Sequence, residues 1–123
     1  NLEAYKSKNV IYAGFVKDID TYFKSADIFM NPISEGGGIK TKLVEALAGN
    51  SSAVSFASGA FGVPAAITGS KLIIVPDENS TEFFKAIQQS IPLLKKDIPT
   101  DFYEHFYWGN IVQKAYQHIL SIA

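Results

Sequence analysis

Apolar positions along the chain form short runs separated by longer segments with helical spacing. The short runs predict four buried strands, at residues 9–14, 28–30, 52–56 and 72–75. In the segments between and after them, apolar residues recur every three or four positions. That spacing predicts helices at residues 19–25, 40–48, about 81–95 and 101–123.

Proline and glycine punctuate these segments. Pro92 falls inside the third helical segment, and it is expected to kink or end that helix. Gly109 is expected to divide the last segment in two. Residues 57–70 are rich in small residues, which predicts a loop holding one short helix around residues 64–67.

Alternation of short strands with helices is typical of α/β proteins. It predicts βαβ units and a parallel, Rossmann-like sheet flanked by helices. Such sheets bind ligands beyond the carboxyl ends of their strands. The loops expected there span residues 15–17, 32–38, 57–62 and 76–77, and the loop at 32–38 carries three consecutive glycines.

Composition narrows the class of protein. The chain has 123 residues, which suits one domain, and 47% are hydrophobic, enough for a core. A formal net charge of −1 gives no electrostatic footprint for nucleic acid. There is no cysteine, no apolar run long enough to span a bilayer, and no signal-peptide pattern in the polar first residues. The two histidines are too few and too far along the chain for a metal site.

The glycine loop is the best candidate for chemistry. Gly36, Gly37 and Gly38 come directly before a helical segment, so a ligand can approach the backbone and the positive end of the helix dipole. Lys40 and Lys42 oppose that dipole in the first turn, and a bound anion would reverse the cost. A mobile turn between a strand and a helix is about equally compatible with three glycines alone.

Glu45 has two interpretations. It follows Lys42 by three residues, and this spacing on its own favours an ion pair on the helix surface. The alternative is a carboxylate that accepts hydrogen bonds from sugar or ribose hydroxyls. Glu35, in the loop, is either a solvated acid or a sugar ligand. Neither a nucleophile elbow nor the G-x-G-x-x-G dinucleotide pattern is present.

The segment ADIFMNPIS followed by GGGIKTKLVEALAGN resembles the C-terminal, nucleotide-sugar-binding half of group 1 (family 4) glycosyltransferases, which have the GT-B fold. The likeness continues through NVIYAGFV before it, and through SSAVSFASGAFGV, KLIIVPDENSTEFFKAI and FYWGNIVQKAY after it. It covers about residues 9–120. Ordered agreement over that length is more specific than any single motif.

The resemblance implies roles by position. Glu45 matches the acid that binds the ribose of the donor. The donor diphosphate and sugar are expected at Gly36, Gly37, Gly38, Ile39, Lys40 and Lys42, and the base at the main chain of Phe15 and Val16. Gly37 stands where the family usually has a first acid, and Glu35 lies two residues before it. The resemblance identifies no catalytic residue here and implies neither a metal nor a cofactor, with a nucleotide-diphosphate sugar as the donor substrate.

The family's strand order is 3-2-1-4-5-6. The four predicted strands correspond to strands 3, 4, 5 and 6, so strands 1 and 2 and the acceptor-binding N-terminal domain have no counterpart. The expectation is therefore an incomplete C-terminal half of a GT-B enzyme of carbohydrate biosynthesis, inactive alone. The full enzyme is expected to transfer a hexosyl group to an acceptor hydroxyl with retention of configuration. The resemblance also implies a cytoplasmic location, with any contact to the cytoplasmic face of a membrane made through the missing half.

Three other readings stay open. A receiver domain has this size and class, but the acidic cluster after its first strand and its Lys-Pro after the fifth are lacking. A nucleotide-sugar epimerase of related fold is a closer rival. The third is a non-catalytic nucleotide-binding or interaction module, which the glycine at position 37 allows.

Overall fold

The computed structural model describes residues 7–122. Its sheet has three parallel strands, β1 (Ile28–Asn31), β2 (Ser52–Phe56) and β3 (Leu72–Val75), in the order β1-β2-β3. Met30 is level with Val54, and Val54 is level with Ile73. The helices are α1 (Ile19–Ser25), α2 (Thr41–Ala48), α3 (Ser80–Ser90), α4 (Thr100–Phe106) and α5 (Trp108–Ile122). The predicted α/β class, with a Rossmann-like parallel sheet flanked by helices, is confirmed.

The core lies on both faces of the sheet. All five residues of β2 are buried, as expected for a central strand covered on both sides. On one face a cluster brings α2 and α4 together, through Leu43, Leu47, Ala53, Leu72 and Phe102. On the other face α3 packs through Val54, Phe56, Val75, Phe83 and Ala86. The sheet is therefore packed between two layers of helices, and these layers cover its faces and not the edge where the strands end.

The predicted strand at residues 9–14 is wrong. Ser7 and Val10 form an isolated antiparallel bridge, and the residues after them have no regular structure. Ile11 is 87% exposed and Tyr12 is 62% exposed. An apolar run becomes a strand only where a neighbouring strand pairs with it, and this run pairs with none of β1, β2 or β3. The loop at residues 15–17 therefore does not follow a strand.

Helix ends follow the sequence closely, with small shifts. The Asp18 side chain accepts from the backbone N–H of Thr21 and caps α1. Asn79 caps α3 in the same way. Helix α3 ends at Ser90 and a 3₁₀ turn, Ile91–Leu93, contains Pro92, which confirms that this proline ends the helix. The last segment divides at Tyr107, two residues before the predicted Gly109.

The loop between β2 and β3 holds two short 3₁₀ turns. Ala65–Ile67 is the short helix predicted around residues 64–67, and Ser58–Ala60 was not predicted. Helix α5 buries none of its residues in the described part of the chain. Within residues 7–122, no helix has both the length and the apolar character needed to cross a bilayer.

Candidate functional site

Three loops meet where the parallel strands end. Asn31, the last residue of β1, is 3% exposed, and its side-chain Nδ2 donates to Ser55 Oγ at 2.9 Å and to the carbonyl oxygen of Gly59 at 3.0 Å. Ser58 donates its backbone N–H to Asp77 at 2.9 Å and its hydroxyl to the same carboxylate at 2.5 Å. The end of β1, the loop after β2 and the loop after β3 are thus joined by side-chain hydrogen bonds.

The loop after β2 touches the glycine loop at two places. A Cβ on Gly59 would lie 2.9 Å from the carbonyl oxygen of Ile33, so only glycine lets these backbones approach. A Cβ on Gly62 would lie 3.4 Å from the Ile39 side chain. Ile33 and Ile39 flank the glycines, so residues 57–62 support both ends of the loop.

The glycine loop itself has a left-handed backbone at two positions. Gly36 has φ +87° and Gly38 has φ +73°, conformations that L side chains rarely adopt. The Lys40 ammonium folds back over the loop and donates to the carbonyl oxygens of Gly36 at 2.9 Å and Gly37 at 3.3 Å. The loop is closed on one side by this lysine.

Backbone N–H groups of the loop are uncommitted. None of the nine N–H groups from Ser34 to Lys42 donates to another described residue. Lys40 is the N-cap residue of α2 and makes no side-chain cap bond, and the first turn of α2 contains no acid. Helices α1 and α3, by contrast, both have a capping side chain and an acid in the first turn. The head of α2 therefore offers donors and positive charge that no described side chain neutralises.

An open groove of about 340 Å³ lies between the end of β1 and the head of α2. Its lining is Phe29, Met30, Asn31, Pro32, Ile33, Ile39, Lys40, Thr41 and Lys42. The predicted residues Ile39, Lys40 and Lys42 therefore share one groove. Ile39 is 42% exposed, so its side chain is accessible from the groove.

Glu45 lies apart from this groove. It lines a second depression, of about 230 Å³, between α1 and α2, together with Asp20, Phe23, Lys24, Ala48 and Gly49. No ion pair between Lys42 and Glu45 is present, so the surface salt bridge that their spacing favoured is wrong. The helix places both side chains in solvent, and neither is held by the other.

Phe15 and Val16 lie just before α1. Phe15 is 94% exposed, while Val16 is half-buried. Neither residue lines the groove at the head of α2. The structure thus brings Ile39, Lys40 and Lys42 into one groove and bonds Lys40 to Gly36 and Gly37. The predicted residues Phe15, Val16 and Glu45 do not line that groove, and neither do Gly36, Gly37 and Gly38. Glu35 is exposed in the loop.

Electrostatics at the site centre on Asp77. Hydrogen bonds from the hydroxyl and then the backbone N–H of Ser58 lower the pKa of this carboxyl. The carboxylate is therefore ionised over the neutral range and holds the second loop against the third. In residues 7–122 no three His, Asp or Glu side chains are grouped as they would be around a metal ion.

Sequence reasoning missed the residues that join the loops: Asn31, Ser55, Ser58, Gly59 and Asp77. One feature could have pointed to Asn31, because it is an amide at the end of an otherwise apolar run on a buried strand. Gly59 gives no comparable indication, since its constraint comes from residues far away in the chain.

Comparisons with known proteins give one match. The family model described as "Glycosyl transferases group 1" matches residues 1–91, a range that includes β1, the glycine loop, α2, β2, β3 and α3. Comparison with curated proteins and with solved structures gave no match.

Proposed function

The chain belongs to the group 1 glycosyltransferases, and we propose that it is the donor-binding part of such an enzyme, holding a nucleotide-diphosphate sugar in a GT-B arrangement. The diphosphate lies on the glycine loop and the head of α2. The enzyme transfers the hexosyl group to a hydroxyl of an acceptor, whose binding residues come from another domain.

One observation carries this proposal. Nine consecutive N–H groups, from Ser34 to Lys42, have no acceptor among the described residues, and they surround an uncapped helix end. A helix N-terminus with free N–H groups is a ready anion site. Lys42 lines the groove beside them, and its charge is unpaired among the described residues. A diphosphate would pair with both features, because its negative charge faces Lys42 and its oxygens accept hydrogen bonds from the free N–H groups.

The same groups would act in the reaction. Transfer of the sugar moves negative charge onto the leaving nucleoside diphosphate. Donors already fixed where that charge develops lower the barrier, because no dipole has to reorient at the moment of reaction. Lys42 and the N–H groups of Gly38 and Ile39 are the groups proposed for this role. The glycosyl acceptor attacks from the open side of the groove.

The rest of the donor extends towards α1. Glu45 is exposed on α2, about one turn beyond Lys42. Its carboxylate makes no hydrogen bond to another described residue. We propose that Glu45 binds the ribose hydroxyls, because a carboxylate readily accepts hydrogen bonds from hydroxyl groups. Phe15 and Val16 precede α1, whose residues Asp20 and Phe23 share the depression with Glu45. The base is assigned to this side.

Calorimetric titration of the chain with UDP, GDP and ADP tests the proposal. One of these nucleotides is expected to bind, and Glu45→Ala is expected to weaken it about tenfold, the cost of one lost charged hydrogen bond. Glu82→Ala removes an acid on α3 that does not line the groove, so it serves as the control and should leave the affinity unchanged. Absence of binding by all three nucleotides would contradict the proposal.

A further inference from the structure

Asn31 is a buried amide whose bonds cross between elements. Its Nδ2 group joins the end of β1 to Ser55 Oγ of β2 and to the carbonyl oxygen of Gly59 in the next loop. Burying a polar side chain costs free energy unless its hydrogen bonds are made. Both hydrogen bonds of the Asn31 amide N–H group are made. Asn31 lines the floor of the groove at the head of α2.

The residues that Asn31 holds form a support under the glycine loop. Gly59 lies against the carbonyl oxygen of Ile33, where the loop begins, and Gly62 lies against the Ile39 side chain, where the loop ends. Ser58 ties the same support to Asp77 after β3. The Asn31–Gly59 hydrogen bond is therefore the direct connection between the strand that leads into the glycine loop and the backbone on which both loop ends rest.

We propose that Asn31 is a positioning residue, one that sets the distance between the two ends of the glycine loop so that its N–H groups converge on the donor diphosphate; this rests on the proposed function. Without the amide, Gly59 loses its link to β1 and the loop ends are free to separate. Binding of the ligand must then order the loop, and the conformational entropy lost in that ordering lowers the affinity. Asn31 therefore acts on diphosphate binding indirectly, through the position of the glycine loop.

The test compares a nucleoside diphosphate with its nucleoside. The tightest of UDP, GDP and ADP, and the matching nucleoside, are titrated into the wild-type chain and into Asn31→Ala and Asn31→Asp. Asn31→Asp keeps the size of the side chain but replaces the amide donor with an oxygen that faces the Gly59 carbonyl. Diphosphate affinity is expected to fall about tenfold in both variants, with nucleoside affinity changed less than about twofold.

Ser51→Ala is the control for loss of buried hydrogen bonds. The Ser51 hydroxyl is also buried, and it lies within hydrogen-bond distance of the carbonyl oxygens of Phe23 (2.6 Å) and Ala26 (3.0 Å), at the amino edge of the sheet. This variant should lose stability and keep the ratio of diphosphate to nucleoside affinity. ¹⁵N relaxation of the Gly36, Gly37 and Gly38 amides should show increased motion in the Asn31 variants and no change in Ser51→Ala.

Each other result has one meaning. A wild-type chain that binds the nucleoside as tightly as the diphosphate overturns the proposed function, and the role of Asn31 with it. A wild-type preference for the diphosphate that survives in both Asn31 variants overturns the positioning role alone. Equal loss of both ligands, or failure of both variants to fold, also overturns it, because Asn31 would then hold the sheet and not the loop.

Discussion

The ammonium of Lys40 donates a 2.9 Å hydrogen bond to the carbonyl oxygen of Gly36, four residues earlier in the chain. A weaker bond, at 3.3 Å, reaches Gly37. Both acceptors lie in the loop that Lys40 itself ends, since Lys40 is the N-cap residue of α2. The lysine therefore braces the loop from inside, while its charge stays beside the groove.

Replacement of Lys40 by Met tests this brace. The Lys40→Met variant keeps most of the side-chain volume and removes both hydrogen bonds to the loop. Affinity for the nucleoside diphosphate is expected to fall about tenfold, because one cation and the loop's internal bonds are lost together. Calorimetry measures this, and Lys85→Met on α3, whose lysine pairs only with Glu82 among the described residues, is the control. Equal affinity in both variants would show that Lys40 has no part in the site.

Gly59 is predicted to be intolerant of alanine for steric reasons. Its added Cβ would lie 2.7 Å from Asn31 Nδ2, 2.8 Å from Ser55 Oγ and 2.9 Å from the Ile33 carbonyl oxygen. Gly59→Ala should lower the free energy of unfolding by about 1–3 kcal/mol, the usual cost of overpacking. Urea denaturation measures the change.

Gly37→Ala is the matched control for that substitution. Nothing lies within 4 Å of a Cβ at Gly37, and its φ is not in the left-handed region. Its effect on the free energy of unfolding should stay within about 0.5 kcal/mol. If the two alanine variants are equally stable, the close contact at Gly59 is not present in solution.

The lowered pKa of Asp77 predicts that the stability of the chain depends on pH. Hydrogen bonds from Ser58 lower the pKa of Asp77 in the folded chain, so folding favours the ionised form. Its contribution is present above the unfolded pKa of about 3.9 and is lost as pH falls through the lowered folded value. Wild type should exceed Asp77→Asn in urea midpoint at pH 7, and the difference should shrink as pH falls below about 4. A difference that is constant with pH would contradict this.

Burial of Lys71 predicts a second rise of stability with pH, this time at alkaline pH. It is buried at the amino end of β3, and its Nζ atom is 3.4 Å from the carbonyl oxygen of Leu94. Burial lowers the pKa of Lys71, with Asp97 opposing that shift, so the folded chain disfavours the charged amine. Between the lowered pKa and the unfolded value of about 10.4, the unfolded chain binds more protons, and stability rises with pH.

Lys71→Met removes that term. At pH 7 the variant should be at least as stable as wild type, because a buried charge is replaced by an apolar chain of similar length. Its advantage should decrease as pH approaches about 10.4, where the unfolded lysine also loses its proton. Thermal unfolding at several pH values measures this. A variant markedly less stable than wild type at pH 7 would mean that the charged amine is well solvated or paired.

Much of the fold was predictable because it depends on local pattern. Runs such as Leu72–Val75 form strands since they are short, apolar and followed by a proline, and Asp18 begins α1 because its side chain caps the helix. Residues 9–14 have the same apolar pattern and are not a strand. Pairing with another strand decides that outcome, and apolar pattern carries no information about the partner.

The candidate site was predictable in part for the same reason. Glycines and lysines at the head of a helix point to an anion by their chemistry, so residues 36–42 could be predicted as a candidate anion site. The Asn31–Gly59 contact joins residues 28 positions apart, and it follows from the order of strands in the sheet. Lys42 and Glu45 illustrate the converse, since correct helical spacing brings two side chains to one face without making them bond.

The central claim is that the glycine loop and the head of α2 bind the diphosphate of the donor. Residue-resolved ¹H–¹⁵N shifts of the amides from Ser34 to Lys42, followed while a nucleoside diphosphate is added, test it most directly. Because these N–H groups have no acceptor among the described residues, they should move downfield together and saturate at one affinity. The matching nucleoside should leave them unmoved. Saturable shifts elsewhere in the chain, with the amides of Gly36, Gly37 and Gly38 unchanged, would contradict the account.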